Sequence, residues 1–350
     1  MANTFSGLTA FVNEQRRTDF WTEALFANDV MPFVNAVGTA VPNVKENTFT
    51  FPRLSGTVAI ADGAACSDDF DNGNDTTITQ TTITLKKGLV QDSFCPHGED
   101  YETYFTALGM PAGQNYTSLG VWQSSLVGEI QRRLGKRLAI NFWRGDQSGD
   151  AWSFTGWYES LLAATLGTYN ASSNPSGGIV GSTTPTNGGS GGTDAQGVYN
   201  ICTSLIEAAL NTQSVTGSDL AADLIAGNCY IVMNPLNREY MRQNYLKLNG
   251  QSMPEIVPGL AALQNNAFSA FNMPGYNVPV ITQAWIPQST IILSRRNNQV
   301  IAFDLESDMQ NLKVWIADDQ DTIRWKYRFK VGCGWRALDG SNLKMWGPTT

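Results

Sequence analysis

The most regular feature of this chain is the run Ile323, Trp325, Tyr327, Phe329 and Val331, which alternates strictly with Arg324, Lys326, Arg328 and Lys330. Side chains of a strand project to opposite faces with a period of two, so the run reads as a strand with one aromatic, apolar face and one wholly basic face. The aromatic face demands a covering layer, and the basic face demands water, carboxylates or a polyanion. Strands at 278–286, 290–294, 299–305 and 312–316 precede it, with Arg295-Arg296-Asn297-Asn298 as a hairpin turn.

The second constraint is helical. Leu119, Trp122, Leu126, Ile130, Leu134, Leu138 and Phe142 recur at spacings of three and then four, which predicts a helix over about 117–145. At about 1.5 Å per residue it would run about 43 Å, enough to cross a whole domain. Gly120, Gly128 and Gly135 each weaken it by about 1 kcal/mol relative to Ala, so tertiary packing has to hold it.

Between and around these elements the chain divides by composition. Residues 1–46 read as an arm, with an amphipathic helix through Phe11, Phe20, Trp21, Leu25 and Phe26 and then an extended stretch punctuated by Pro32, Gly38 and Pro42. From residue 47 to 90 the chain is Thr-rich and β-branched on both sides of an acidic turn, a long two-stranded excursion. Residues 171–194 are almost entirely Ser, Gly, Pro, Thr and Asn and read as a flexible or irregular loop. A helix at 195–211, a buried strand at 228–233 closed by Asn234-Pro235, and a helix at 236–248 follow. Helices and strands in this order give an α+β fold.

With 350 residues the chain can bury a large core, yet only 15% of it is charged, so its surface must be covered by uncharged polar residues or by partners. The net charge of −8 argues against a generally basic nucleic-acid binder. The charge is segregated, however. Arg132, Arg133, Lys136, Arg137 and Arg144 on the long helix, and Arg324, Lys326, Arg328, Lys330 and Arg336 on the last strand, occupy two 13-residue stretches without an acid, leaving −18 on the remainder. Either stretch could face a polyanion, in contacts that would be sequence-independent and salt-sensitive. The alternative is a solvated helix face, and a strand paired with Asp318, Asp319 and Asp321.

Motifs for chemistry are weak. The five cysteines, Cys66, Cys95, Cys202, Cys229 and Cys333, are odd in number and lack C-x-x-C spacing, which points to free thiols. Cys95, His97, Glu99 and Asp100 could start a metal shell that nothing else completes. The acidic turn with Asp68, Asp69, Asp71 and Asp75 suggests a calcium loop, but aligning Gly73 with the required glycine puts Phe70 at a ligand position, so it reads as a solvated hairpin tip. Gly188-Gly189-Ser190-Gly191-Gly192 matches the nucleophile elbow of hydrolases without the apolar strand that must precede it, and His97 is the sole histidine available as a base. No phosphate-loop, dinucleotide or zinc-peptidase motif occurs, and no cofactor is expected. The N-terminus has no signal-peptide pattern and no apolar run reaches the length of a membrane span.

The order of elements, and in particular Cys229-Tyr230-Ile231-Val232-Met233-Asn234-Pro235 with the following Tyr240 helix, the segments 291–298 and 300–308, and the strand 323–332, resembles the major capsid protein of tailed bacteriophages, the Hong Kong 97 type fold. The resemblance implies an N-terminal arm at 1–46, an extended loop at 47–95, a peripheral domain from 96–200 and 291–350 carrying a spine helix at about 117–145, and an axial domain at 201–290. It implies a structural protein, not an enzyme, that assembles with itself through hexamers and pentamers into an icosahedral head around double-stranded DNA. The virion is the implied location and the host cytoplasm the place of assembly. A separate scaffolding protein, a portal and decoration proteins are the implied partners, with no membrane. The resemblance also places Arg132, Arg133, Lys136, Arg137 and Arg144 toward packaged DNA or a neighbouring subunit, and Asp68, Asp69, Asp71 and Asp75 at the inter-subunit tip of the extended loop. An encapsulin-like nanocompartment shell is the alternative on the same fold, and a serine hydrolase using Ser190 and His97 the alternative of another class.

Overall fold

The computed structural model describes residues 30–57, 75–94, 119–146, 153–164, 166–170, 172–174, 177–212, 220–254, 270–304, 313–317 and 322–348. Two sheets and a two-stranded ribbon organise them. The alternating strand, β12 (Thr322–Trp335), is the axis of the first sheet. Along one edge it pairs antiparallel with β4 (Lys86–Phe94), and it also pairs antiparallel with β11 (Lys313–Ala317) through its first half and with β10 (Gln299–Phe303) through its second. β1 (Thr39–Val41) extends this sheet in parallel beside β10.

The expected amphipathicity of β12 holds over most of the described part: Trp325, Tyr327, Phe329 and Val331 are buried, while Arg328 is exposed and Arg324 and Lys326 are half-buried; Lys330, on the basic face, departs from it and is buried. Over the buried face lies the long helix, here α2 (Leu119–Arg144), with Leu134, Leu138, Phe142 and Trp143 in the same core as the strand's aromatics. The short α3 (Trp157–Ala163) completes the layer: Trp157 Nε1 donates to Gly334 O at 3.0 Å, and Trp335 Nε1 donates to Trp157 O at 2.9 Å. Two buried indoles are thereby satisfied by backbone and lock helix to strand.

One expectation for the arm is corrected. Residues 30–37, read as extended because of Pro32, form helix α1 (Val30–Val37). Proline in the first helical turn removes an N–H that has no partner there anyway, so it does not oppose the helix. Val30, Met31, Phe33, Val34 and Val37 bury into the α2–β12 core, which decides the conformation. The amphipathic helix expected through Phe11 to Phe26 lies outside the described residues.

The second sheet runs β5 (Ile179–Gly181), β13 (Leu343–Trp346), β9 (Ile291–Arg295), β6 (Cys229–Met233), β8 (Pro279–Thr282), β7 (Ala270–Asn272). Helices α4 (Val198–Leu210), α5 (Leu220–Ile225) and α6 (Pro235–Asn249) accompany it and share the second core, α6 through Met241. The boundaries of α6 are written in its sequence: Asn234 Oδ1 accepts from Leu236 N, Pro235 occupies the first turn, and Gly250 closes the helix at φ 65° with its N–H on Leu246 O. Strand β8 is shorter than the expected 278–286, because the chain leaves the sheet at Gln283, whose side chain caps the Trp143 indole.

The described part of the Gly/Ser/Thr tract at 171–194 is mostly irregular, as expected, but it contributes β5 and a 3-10 turn (Ser190–Gly192) and is stapled to α6. Asn244, fully buried on α6, donates through Nδ2 to Gly192 O at 2.7 Å and accepts at Oδ1 from Tyr199 N at 3.0 Å. Lys247 Nζ adds a bond to Gly189 O at 2.8 Å. Gly192 (φ 77°) passes so close that a Cβ there would sit 2.9 Å from the Leu248 backbone nitrogen. The glycines serve contact as much as freedom.

Candidate assembly and polyanion surfaces

Two exposed surfaces stand out, and both follow from strand and helix periodicity. The first is the ribbon of β2 (Thr48–Thr57) and β3 (Asp75–Thr84), paired antiparallel along all ten residues from Thr48 opposite Thr84 to Thr57 opposite Asp75. One face carries Phe49, Phe51, Arg53, Thr79, Thr81 and Ile83; among these, Ile83 is buried and Phe49, Phe51, Arg53 and Thr81 are half-buried against the subunit. The other carries Thr48, Thr50, Pro52, Ile78, Gln80, Thr82 and Thr84, all exposed, with Ile78 64% exposed. This is a Thr-rich face with an apolar side chain in water.

The ribbon is rooted where Leu85 N donates to Asn47 O at 2.8 Å and where β3 crosses Gly332 and Gly334 of β12. Lys330, 2% exposed, holds the incoming chain: its Nζ donates to Lys45 O at 2.6 Å, and burial lowers its pKa while Asp304 opposes that shift. Its place on the basic face of β12 is therefore structural. A groove of about 230 Å³ lies under the root, lined by residues such as Thr82, Thr84, Ser160, Cys333 and Trp335.

The second surface is the C-terminal half of α2. Arg132, Arg133, Lys136, Arg137 and Arg144 are all exposed, while Gln131, Leu134, Leu138 and Phe142 are buried. The structure thus collects all five predicted basic residues on the outside of one helix, on the side away from β12. Trp285, which the sequence pattern did not single out, sits at the end of this face: the Lys136 ammonium lies 6.0 Å from its ring centroid, and Arg144 Nε donates to its carbonyl at 2.7 Å. Arg144 also stands in the last helical turn, where a cation meets the negative end of the helix dipole.

The α2 face and the basic face of β12 lie on opposite sides of one core, because the apolar faces of both elements meet in it. The two basic stretches do not merge into one patch.

The remaining candidates disperse. Asp75 opens β3, whereas Asp68, Asp69 and Asp71 lie outside the described residues, as do the carboxylates Asp318, Asp319 and Asp321 and the whole Cys95–Asp100 segment with His97. Ser190 is exposed at the start of a 3-10 turn, and no strand leads into it, so the elbow geometry of a hydrolase nucleophile does not occur. Cys202, Cys229 and Cys333 are buried free thiols whose pKa values burial pushes up, that of Cys229 to about 12, which is the opposite of an activated nucleophile. Among the described residues no group of three or more His, Cys, Asp and Glu side chains could hold a metal ion, and no helix is long and apolar enough to cross a membrane.

No family model matches the chain, and no curated protein does. Solved structures do. The capsid of an empty GTA particle superposes with a TM-score of 0.51 at 16% identity, covering 91% of this chain and 96% of that one. The capsid of Myoviridae phage XM1 gives 0.49 at 13% identity, over 90% and 91% of the two chains. The satellite phage P4 procapsid that includes the size determination (Sid) protein gives 0.47 at 11%, over 94% and 98%. The superposition on the GTA capsid chain, over 91% of this chain, makes this an α+β chain with the Hong Kong 97 type capsid fold.

Proposed function

We propose that the chain is the major capsid protein of a tailed bacteriophage, assembling through hexamers and pentamers into an icosahedral head around double-stranded DNA. The observation that carries the reading is the fold shared with the GTA capsid chain over nine-tenths of both molecules. The β2–β3 ribbon supports it physically. Two strands with one bare face are marginal alone in water, and a second copy lying against Thr50, Ile78 and Thr82 would cover them.

The exposed α2 face then serves as the lumen surface, with Arg132, Arg133, Lys136, Arg137 and Arg144 meeting phosphates without reading sequence. Asp75, at the start of β3, then faces the neighbouring subunit. A separate scaffolding protein, a portal and decoration proteins complete the assembly in the host cytoplasm, and the virion is the final location. Expression of the chain alone and with a scaffold, followed by sedimentation and electron microscopy, tests the reading. Rings or closed shells are the expected product, and a monomer under every condition sinks it.

A further inference from the structure

Beyond its root, the described part of the ribbon is tied to its own subunit at one short segment, 336–339. Thr81 Oγ1 donates to Arg336 O at 3.2 Å, the Arg336 guanidinium lies 5.8 Å from the Phe51 ring centroid, and Arg53 Nη1 donates to Asp339 Oδ2 at 2.6 Å. The last of these is not an ordinary surface pair. Asp339 is held before Arg53 arrives: its Oδ1 accepts from Ser341 N at 3.0 Å and from Asn342 Nδ2 at 2.6 Å, and its carbonyl accepts from Asn342 N and Leu343 N. The carboxylate that meets Arg53 therefore loses little side-chain freedom on pairing, and both side chains are about two-thirds covered. Asn342 is fixed in turn by Arg295 Nη1 at 3.0 Å, and Arg295 is ion-paired with Asp223 of α5, so the turn is anchored in the second sheet.

We propose that Arg53–Asp339 is a latch that sets the angle of the ribbon on its own subunit, with the Asp339 turn as its fixed half and the ribbon as its moving half. Arg336 over Phe51 steadies the same pose. Opening the pair would leave the root bonds at Asn47 and Leu85 intact, with only the Thr81 and Phe51 contacts to Arg336 to resist pivoting about them. The latch is a property of the subunit, so it stands or falls separately from shell assembly.

Hydrogen exchange on the full chain, compared at one assembly state fixed by sedimentation, tests it. R53M and D339N are each expected to speed exchange of the β2 and β3 amides about two- to five-fold, with the amides of β12 and α6 unchanged. Asparagine can still accept from Ser341 and Asn342, so D339N removes the charge and spares the turn; should it unfold the turn, R53M alone carries the test. The double variant is expected to match the single ones, and 0.5 M salt to bring the wild-type ribbon toward their rates. Unchanged ribbon exchange in R53M, or effects of the two substitutions that simply add, would overturn the latch. Absence of shells with an intact latch would count against the capsid reading only.

Discussion

At the residue scale, buried polar side chains do the joining. Lys344, 0% exposed, donates to Gly177 O at 2.7 Å and lies 5.1 Å from the Tyr169 ring centroid, which ties β13 to the Gly-rich tract. Burial lowers its pKa from 10.5 to about 8, with Asp339 opposing the shift. Below pH 8 the ammonium is charged in both the folded and unfolded chain, and the burial penalty is fully present. Between pH 8 and 10.5 the unfolded chain holds the proton that the folded one releases, so this residue makes stability rise with pH. Urea denaturation from pH 7.5 to 9 is expected to show a more positive pH slope in the wild type than in K344M; an equal slope in both excludes Lys344 as the source. The buried thiols of Cys202, Cys229 and Cys333, whose pKa values burial raises, act in the opposite direction as the pH nears 9, and equally in both proteins, so the difference between the two slopes reports Lys344.

Asn244 is the second such residue. Its side chain satisfies backbone groups of Gly192, Tyr199 and Asn200 from within a buried site. N244A strands those donors and acceptors and is expected to cost about 2–4 kcal/mol in chemical denaturation. A loss below about 0.5 kcal/mol would show that the tract is not held there.

At the element scale, α2 is held by one face and leaves the other, basic one exposed. L138A removes a fully buried side chain from the α2–β12 core and should cost about 2–5 kcal/mol of unfolding free energy by calorimetry or denaturant. Substituting Arg132, Arg133, Lys136 and Arg137 with Gln leaves that core alone. If each meets one phosphate, the slope of log K against log salt for a DNA duplex should flatten by about 3 to 4, as read by fluorescence anisotropy. An unchanged slope would remove this face from DNA contact.

For the whole molecule, the ribbon allows the proposed assembly to be tested apart from subunit stability. Ile78 contributes little to its own subunit because it points into water. I78D is expected to leave unfolding within about 0.5 kcal/mol of the wild type while slowing shell formation in light scattering. Equal assembly rates would mean that the bare face of the ribbon is not an inter-subunit surface.

Local patterns were enough to determine a good deal of this molecule. Period two in 323–331, period 3.6 in 119–142, and the Asn-Pro…Gly punctuation of 234–250 each report a conformation that neighbouring residues enforce, and all three elements stand where those patterns put them. The basic face of α2 was equally legible, since helical spacing alone gathers its residues. Tertiary structure decided the rest, because the deciding partners are distant in sequence. Pro32 enters a helix because Phe33 and Val34 bury against α2 and β12. The Gly-rich tract is ordered by Asn244, more than fifty residues away, and Lys330 turns from a candidate phosphate contact into an anchor for Lys45. Arg53 finds Asp339 across 286 residues. Composition and spacing carry no record of such pairings, because they form only once the sheets have brought the segments together.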